Sequence, residues 1–291
     1  MKYSINYNSK KDLKIFLDDH GLGMRKKLGQ NFLINPSTRK NLIDALDLKG
    51  DETVFEVGPG LGAMTVMLLE KSSFVNAFEI DPAFCNILLD LFSEHKNFKL
   101  IEGDVLKTWY QYKEKKDFYL FSNLPYNIGS VLLADFIENN FLFKRIVVTV
   151  QKEVAERMAA KPNSKNYSSF SVLCSSVYKI TLLNKINSAS FYPEPNVSSQ
   201  GVRFDLLENK EKYSPVFYPL VRSLFSQRRK TIKNGLTAYL KSSHGNKALP
   251  FNALDLLSLS GINGDRRPET LEVAEFSKLA NCLQKISGEI A

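Results

Sequence analysis

Cysteine is scarce in this sequence: Cys85, Cys174 and Cys282 are all it has, odd in number and far apart. That pattern supplies neither a disulfide framework nor the paired spacing of a zinc site, so the three are expected to be apolar fillers. Histidine is equally sparse. His20, His95 and His244 have no second histidine or carboxylate at metal-ligand spacing, and no metal is expected. There is no apolar run long enough to span a bilayer, and the opening stretch MKYSINYNSKKDLKIFLDDHG lacks the apolar segment of a secretory signal. These absences predict a cytoplasmic protein with no membrane partner. Internal repeats and low-complexity tracts are missing too.

What the chain does have is ordinary globular material: 291 residues, 44% hydrophobic and 24% charged, enough for one large domain and a smaller one. Its formal net charge of +8 favours a polyanionic partner. Acidic residues are absent from two cationic stretches, MRKKLGQNFLINPSTRK at 24–40 and RSLFSQRRKTIK at 222–233. Either one alone reads as a solvated face; the pair together points to nucleic acid.

Apolar runs alternate with amphipathic ones: TVFEV, TVMLLEK, FVNAFEI, FCNILLDLF, FKLIEG, DFYLFS, VLLADFIENN and RIVVTVQ. Alternating strands and helices predict a doubly wound, mostly parallel, Rossmann-like α/β sheet, because parallel neighbours need crossover helices. YKITLLNKI and VSSQGVRFDLL read as two late strands, a closing antiparallel pair. From about Pro215 the apolar residues fall at three- and four-residue spacing, which is helical. A boundary is expected near residue 208, in ENKEK, giving domains of 1–207 and 208–291.

The sequence Glu56-Val57-Gly58-Pro59-Gly60-Leu61-Gly62 takes a strand into a glycine-rich turn ahead of a helix. Gly58, Gly60 and either Gly62 or Ala63 fit a dinucleotide fingerprint and the looser glycine loop of nucleoside-binding methyltransferases equally well. Glu79, 21 residues after Gly58, suits ribose hydroxyls in either case. Asp81-Pro82 has a simpler account as an N-cap with proline at the first helical position. Asp104, in IEGDVL, reads either as an acceptor for an adenine amino group or as a cap of the next turn. A glycine loop and two carboxylates on successive strand ends describe an S-adenosylmethionine pocket better than a phosphate site.

The stretch NLPYN, residues 123–127, ends the apolar run DFYLFS. Proline cannot donate to a ladder, so the chain must turn there and leave Asn123 and Tyr126 on a loop at the sheet edge, where open α/β sheets bind ligands. An adenine N6 amine is a poor nucleophile because its lone pair is delocalised into the ring. The Asn123 side-chain oxygen and the Leu124 carbonyl, turned inward by Pro125, could accept both amino hydrogens and free that lone pair, with Tyr126 stacked on the base. Alignment of this kind can remove on the order of 7 to 11 kcal/mol of barrier.

Across KKLGQNFL, FEVGPGLGAMT, FEID, GDVL, NLPYNI, QKEVAERM, FYPEPNVSS, LFSQRRKTIKNGL and RRPETLEVAEFSKLAN the chain resembles the KsgA (RsmA) family of ribosomal RNA adenine dimethyltransferases. The resemblance implies that Gln30, Asn31 and Leu33 close over the cofactor and that Gly58 and Gly60 approach it. It implies that Glu79 holds the ribose and Asp104 the adenine, with Ile80 and Val105 in the same pocket. It also implies catalytic positioning by Asn123, Leu124, Pro125 and Tyr126, and stacking of Phe191 on the target base. Read alone, Phe191 before a tyrosine and a proline looks more like a core contact. LFSQRRKTIKNGL reads as an amphipathic helix exposing Arg228, Arg229 and Lys230 to RNA phosphates. The chain departs from the family pattern at Gly129, Ser130 and Val131, where threonine and proline are usual, and at Asn163 and Ser168, where glycine is common. Residues 1–24 carry no matching motif.

The expected activity is therefore S-adenosylmethionine-dependent dimethylation of two adjacent adenosines in the 3′-terminal hairpin loop of 16S rRNA, by a monomer whose helical domain binds RNA or the small subunit. Other readings are a resistance-type 23S rRNA methyltransferase, against which LFSQRRKTIKNGL argues, and a non-catalytic assembly factor, which would not need Asn123, Tyr126 and Glu79. A nicotinamide dehydrogenase leaves NLPY unexplained.

Overall fold

The structure is a computed structural model that describes residues 4–23, 29–114, 117–125, 128–208, 213–244 and 251–288. The chain divides into two compact units, residues 1–155 with 179–206, and residues 156–178 with 207–291. One division falls between 206 and 207, close to the boundary expected near 208. The chain also enters the second unit earlier, through 156–178.

Among the described residues the first unit is built on nine strands: β1 (Phe32–Leu33), β2 (Thr53–Val57), β3 (Phe74–Glu79), β4 (Phe98–Glu102), β5 (Phe118–Asn123), β6 (Arg145–Gln151), β7 (Tyr178–Ile186), β8 (Phe191–Tyr192) and β9 (Ser199–Leu206). Seven form one sheet in the order β4-β3-β2-β5-β6-β9-β7. The pairs from β4 through β6 are parallel, and β9 runs antiparallel to β6 with Val148 opposite Val202. The doubly wound, mostly parallel, Rossmann-like sheet read from the sequence is the sheet observed. From β2 the chain winds outward through β3 to β4, then returns to β2's other side as β5. The switch point lies between β2 and β5, where doubly wound sheets open a crevice at the carboxyl ends of their strands.

Helices Thr65–Lys71, Pro82–Leu91 and Gly129–Glu138 supply the crossovers, and they cover both faces, so four of the five residues of β2 are buried. Strand alternation sorts the two faces. Val54, Val75, Phe121 and Val147 join an aliphatic core with Leu42, Leu68 and Leu88. Phe55 turns to the other face, where its ring centroid lies 4.4 Å from that of Phe118, 4.9 Å from Tyr112 and 5.1 Å from Phe78.

The second unit packs helices Ser169–Val177, Phe217–Ser226, Ile232–His244, Ala253–Ser260 and Val273–Gly288 around Leu220, Leu224, Leu236, Phe276 and Leu279. Ser168 caps the first of these through a capping box with Ser171. Asn163 sits at φ +66°, a left-handed conformation that asparagine tolerates.

One expectation fails here. LFSQRRKTIKNGL is not a continuous helix: Phe217–Ser226 ends at Gln227 and a new helix starts at Ile232. Continuing the apolar stripe of Leu220 and Leu224 by another four residues would place Arg228 in the core. The turn instead lets its guanidinium bond to Glu269 (3.3 Å) and to the carbonyls of Lys165 (2.9 Å) and Ser164 (3.3 Å). Arg228 is thus half-buried and engaged within its own unit, while Arg229 and Lys230 are exposed.

Phe55 is fully buried at the centre of the aromatic face. Phe55→Ala should lower the stability of the first unit by about 3–5 kcal/mol, read from urea unfolding followed by circular dichroism.

Candidate active site

The parallel register brings four strand ends to one edge of the sheet. Asp104 follows β4, Glu79 ends β3, the turn Gly58–Gly62 follows β2, and Asn123 ends β5. With Gln30, Asn31, Leu33, Ile80, Val105 and Pro125 they line a cavity of about 210 Å³. Of the residues expected at the site, Leu124 is buried beside it, its N–H donating to the Thr149 carbonyl at 3.2 Å. Tyr126 lies outside the described residues.

The turn after β2 is held in a conformation that needs glycine. Gly58, Gly60 and Gly62 have φ of +68°, +58° and +87°, where a side chain is strained. Gly62 thus has a backbone reason to be glycine, while Ala63 lines the cavity. A Cβ on Gly62 would sit 2.8 Å from the Phe92 ring, and one on Gly60 would sit 3.1 Å from Phe32. The first glycine pair lets the backbone line the cavity, and Gly62 leaves room for Leu88 and Phe92 at the end of helix Pro82–Leu91.

Glu79 fastens this turn to β3. Its carboxylate accepts from the N–H groups of Gly60 (3.1 Å), Ile80 (2.9 Å) and Asp81 (2.9 Å). It is 5% exposed. Burial raises its pKa and the three N–H groups pull against that shift. A carboxylate has about four acceptor sites, so capacity remains for a ligand hydroxyl. Asp81 caps helix Pro82–Leu91 by accepting from the Ala83 N–H, the role read for it from the sequence, and it also accepts from Gln30 Nε2 at 3.0 Å. Asp104 caps Val105–Thr108 through the Leu106 N–H at 3.0 Å, the second of its two readings, and it also lines the cavity.

Asn123 is oriented by two neighbours. Its Nδ2 donates to the Asn31 carbonyl at 2.8 Å, and the Thr149 hydroxyl donates to its Oδ1. A carbonyl can only accept, which places the amide nitrogen toward Asn31 and the oxygen toward Thr149. That oxygen keeps a second lone pair for an incoming donor.

Phe191 pairs with Leu33 across the small β1–β8 ladder and is 1% exposed in the aliphatic core. That is the core contact its own surroundings suggest; the stacking role implied by the resemblance would need the ring uncovered.

Sequence reasoning missed Glu56, Thr149, Tyr7 and Leu13. The last two line the cavity from a segment without any motif. Glu56 did leave a signal, an acid within the apolar run of a doubly covered strand. It is 2% exposed, accepts from the Thr65 hydroxyl at 2.7 Å, and is pushed up to about 8, chiefly by burial and further by the Glu79 charge. Cys85 is a buried filler whose thiol burial pushes up to about 12.

The chain matches the ribosomal RNA adenine dimethylase family over residues 21–285. It belongs to that family. Similar relatives include the ribosomal RNA small subunit methyltransferase A of Treponema denticola, 45% identical over 286 residues covering 96% of each chain. The protein of the same name from Borreliella burgdorferi is 44% identical over 284 residues, 97% of each. Among solved structures, a dimethyladenosine transferase from Plasmodium falciparum superposes with a TM-score of 0.75 at 29% identity, over 87% of this chain and 97% of that one. The protein is accordingly an enzyme of ribosomal RNA methylation on a Rossmann-like fold, and no helix among the described residues is long and apolar enough to cross a membrane.

The Glu56 shift has a consequence for stability. Its folded pKa lies above the unfolded value, so the stabilisation of the neutral acid is complete below about pH 4.5 and is lost as pH rises through about 8. Unfolding free energies across that window should fall with a slope of at most about 1.4 kcal/mol per pH unit. Glu56→Gln should flatten the slope, as urea midpoints at several pH values will show.

Proposed function

We propose that the enzyme transfers methyl groups from S-adenosylmethionine to N6 of two adjacent adenosines in the 3′-terminal hairpin loop of 16S rRNA. The observation that carries this reading is the Asn123 amide, fixed by Asn31 and Thr149 with its oxygen left able to accept, at the strand end beside the glycine turn. Small-subunit substrate is supported by relatives above 40% identity that bear a small-subunit name.

The donor set suits a sulfonium nucleoside. A turn of three left-handed glycines admits close backbone approach, Glu79 can accept from ribose hydroxyls, and Asp104 can accept from an adenine amine. When bound, the donor supplies an already activated methyl group. Gln30, Asn31, Leu33, Ile80 and Val105 enclose it.

The residues of this chain then have a positioning task. Asn123 Oδ1 and the Leu124 carbonyl accept the two hydrogens of the target amine, which turns its lone pair out of conjugation and toward the methyl. No strong base is required, and Tyr126 stacks on the base. Each adenosine must leave its stack to enter, at a cost of a few kcal/mol that is lowest in a loop. The second methylation presents an amine with one hydrogen, so one of the two acceptors gives up its bond. Arg229 and Lys230, exposed on their turn in the second unit, meet RNA phosphates, which fix register without reading sequence; residues 208–291 serve as the RNA- and ribosome-binding domain.

The test is transfer of labelled methyl to unmethylated small subunits, large subunits and free ribosomal RNA, with mass spectrometry of the nucleosides. Dimethyladenosine confined to small-subunit RNA is expected; label in large-subunit RNA, or none anywhere, overturns the reading. Asn123→Ala should cut transfer about 100-fold or more. Its affinity for S-adenosylhomocysteine should stay within about fivefold, the worth of one hydrogen bond.

A further inference from the structure

The segment that carries no motif is built into the donor site. Helix Lys10–Asp19 is capped by Ser9, and its Leu13 and Leu17, 1% and 3% exposed, enter the core that holds Val54 of β2. Ahead of the helix, the Tyr7 hydroxyl donates to the Leu61 carbonyl at 2.8 Å. Leu61 lies within the glycine turn, so this bond gives the turn a second tether besides the one from Gly60 to Glu79.

The segment is anchored as firmly as it is placed. Arg39, 6% exposed, donates to the carbonyls of Tyr7 (3.1 Å) and Leu33 (2.8 Å) and to the Asn8 side-chain oxygen. One buried guanidinium thus ties together two parts of the cavity lining, Tyr7 in the segment and Leu33 in β1. A buried charge keeps such an arrangement because each lost acceptor would leave it unsatisfied.

The strand order says which part of the ligand this wall meets. Asp104 follows β4 and Glu79 ends β3, so a donor with its adenine and ribose on those carboxylates reaches its amino-acid end over β2 and β5. Tyr7 belongs to that end: it bonds to the turn after β2, and the Glu56 carboxyl of β2 is close enough to raise its pKa, on top of the effect of burial. Leu13 lines the same cavity.

We infer that residues 4–20 form a wall of the donor site, with Tyr7 and Leu13 as binding residues for the amino-acid end of a sulfonium or thioether nucleoside; this rests on the S-adenosylmethionine reading above. The wall holds the glycine turn in its binding conformation and excludes water from the aliphatic part of the ligand.

The experiment is calorimetric titration of the full chain with S-adenosylhomocysteine. Tyr7→Phe keeps the ring and removes one hydrogen bond, and it should raise Kd about fivefold, with the KM for the donor rising in proportion and kcat changing less. Leu13→Ala should weaken binding by a similar factor. Tyr167→Phe is the control: it deletes an equivalent bond from a tyrosine hydroxyl to a backbone carbonyl, that of Leu271 at 3.0 Å, in the second unit, and Kd should not move. Binding by Tyr7→Phe and Leu13→Ala indistinguishable from the unaltered protein overturns the inference. If Leu13→Ala does not fold, Tyr7→Phe decides alone. Failure of the unaltered protein to bind overturns the donor reading, and the inference falls with it.

Discussion

Three backbone N–H groups converging on the buried carboxylate of Glu79 are the constraint from which the site follows. Two of them belong to the chain just after β3, and the third belongs to Gly60 in the turn after β2. A single side chain therefore sets the separation of two strand ends and the conformation of the turn between them. Its burial would favour the neutral acid, and the N–H groups offset that preference in part. A ligand hydroxyl arriving at Glu79 meets an acceptor whose position is already fixed, so little ordering has to accompany binding.

Around that point the molecule uses backbone groups where a metal or a cationic side chain could have served. Gly58 and Gly60, both at positive φ, let the main chain line the cavity while their N–H groups are held by the Phe78 carbonyl and the Glu79 carboxylate. Asn123 is pinned on one side by a main-chain carbonyl and on the other by the Thr149 hydroxyl, itself on the neighbouring strand in register with Asn123. Such partners move only when the fold moves, which is what a reaction dependent on alignment needs. An amide also suits the chemistry better than a carboxylate: it accepts from an amine without the charge that would bind a proton or a cation.

Much of this was legible in the sequence. TVFEV, TVMLLEK, RIVVTVQ and YKITLLNKI coincide with the observed elements to the residue, because uninterrupted apolar runs in a doubly covered sheet have few alternative assignments. The glycine turn, Glu79, Asp81 and Asp104 were legible because strand-end loops carry few residues and each has a distinct chemistry. The helix through Arg228 was misread because a periodic pattern cannot show that a guanidinium at the stripe position will find carbonyls from residues 164 and 165 if the helix stops. Phe191 packs in the core as its own surroundings suggest, an aromatic in a short extended segment. Tyr7 was invisible because its partners, Leu61 and Arg39, are 54 and 32 residues away and no periodicity links them.

The two halves of the proposed reaction meet in one short segment. Asn31 gives its carbonyl to the amide that would hold the target amine, while Gln30 beside it bonds to the Asp81 that caps the helix after Glu79. Leu33 continues into β1, whose carbonyl is held by Arg39 together with that of Tyr7. Displacing residues 30–33 would therefore disturb the donor side and the acceptor side at once. The Asn123 amide is thereby held by Asn31 and Thr149 before either substrate enters, and alignment, rather than a side chain that moves a proton, is what the site supplies.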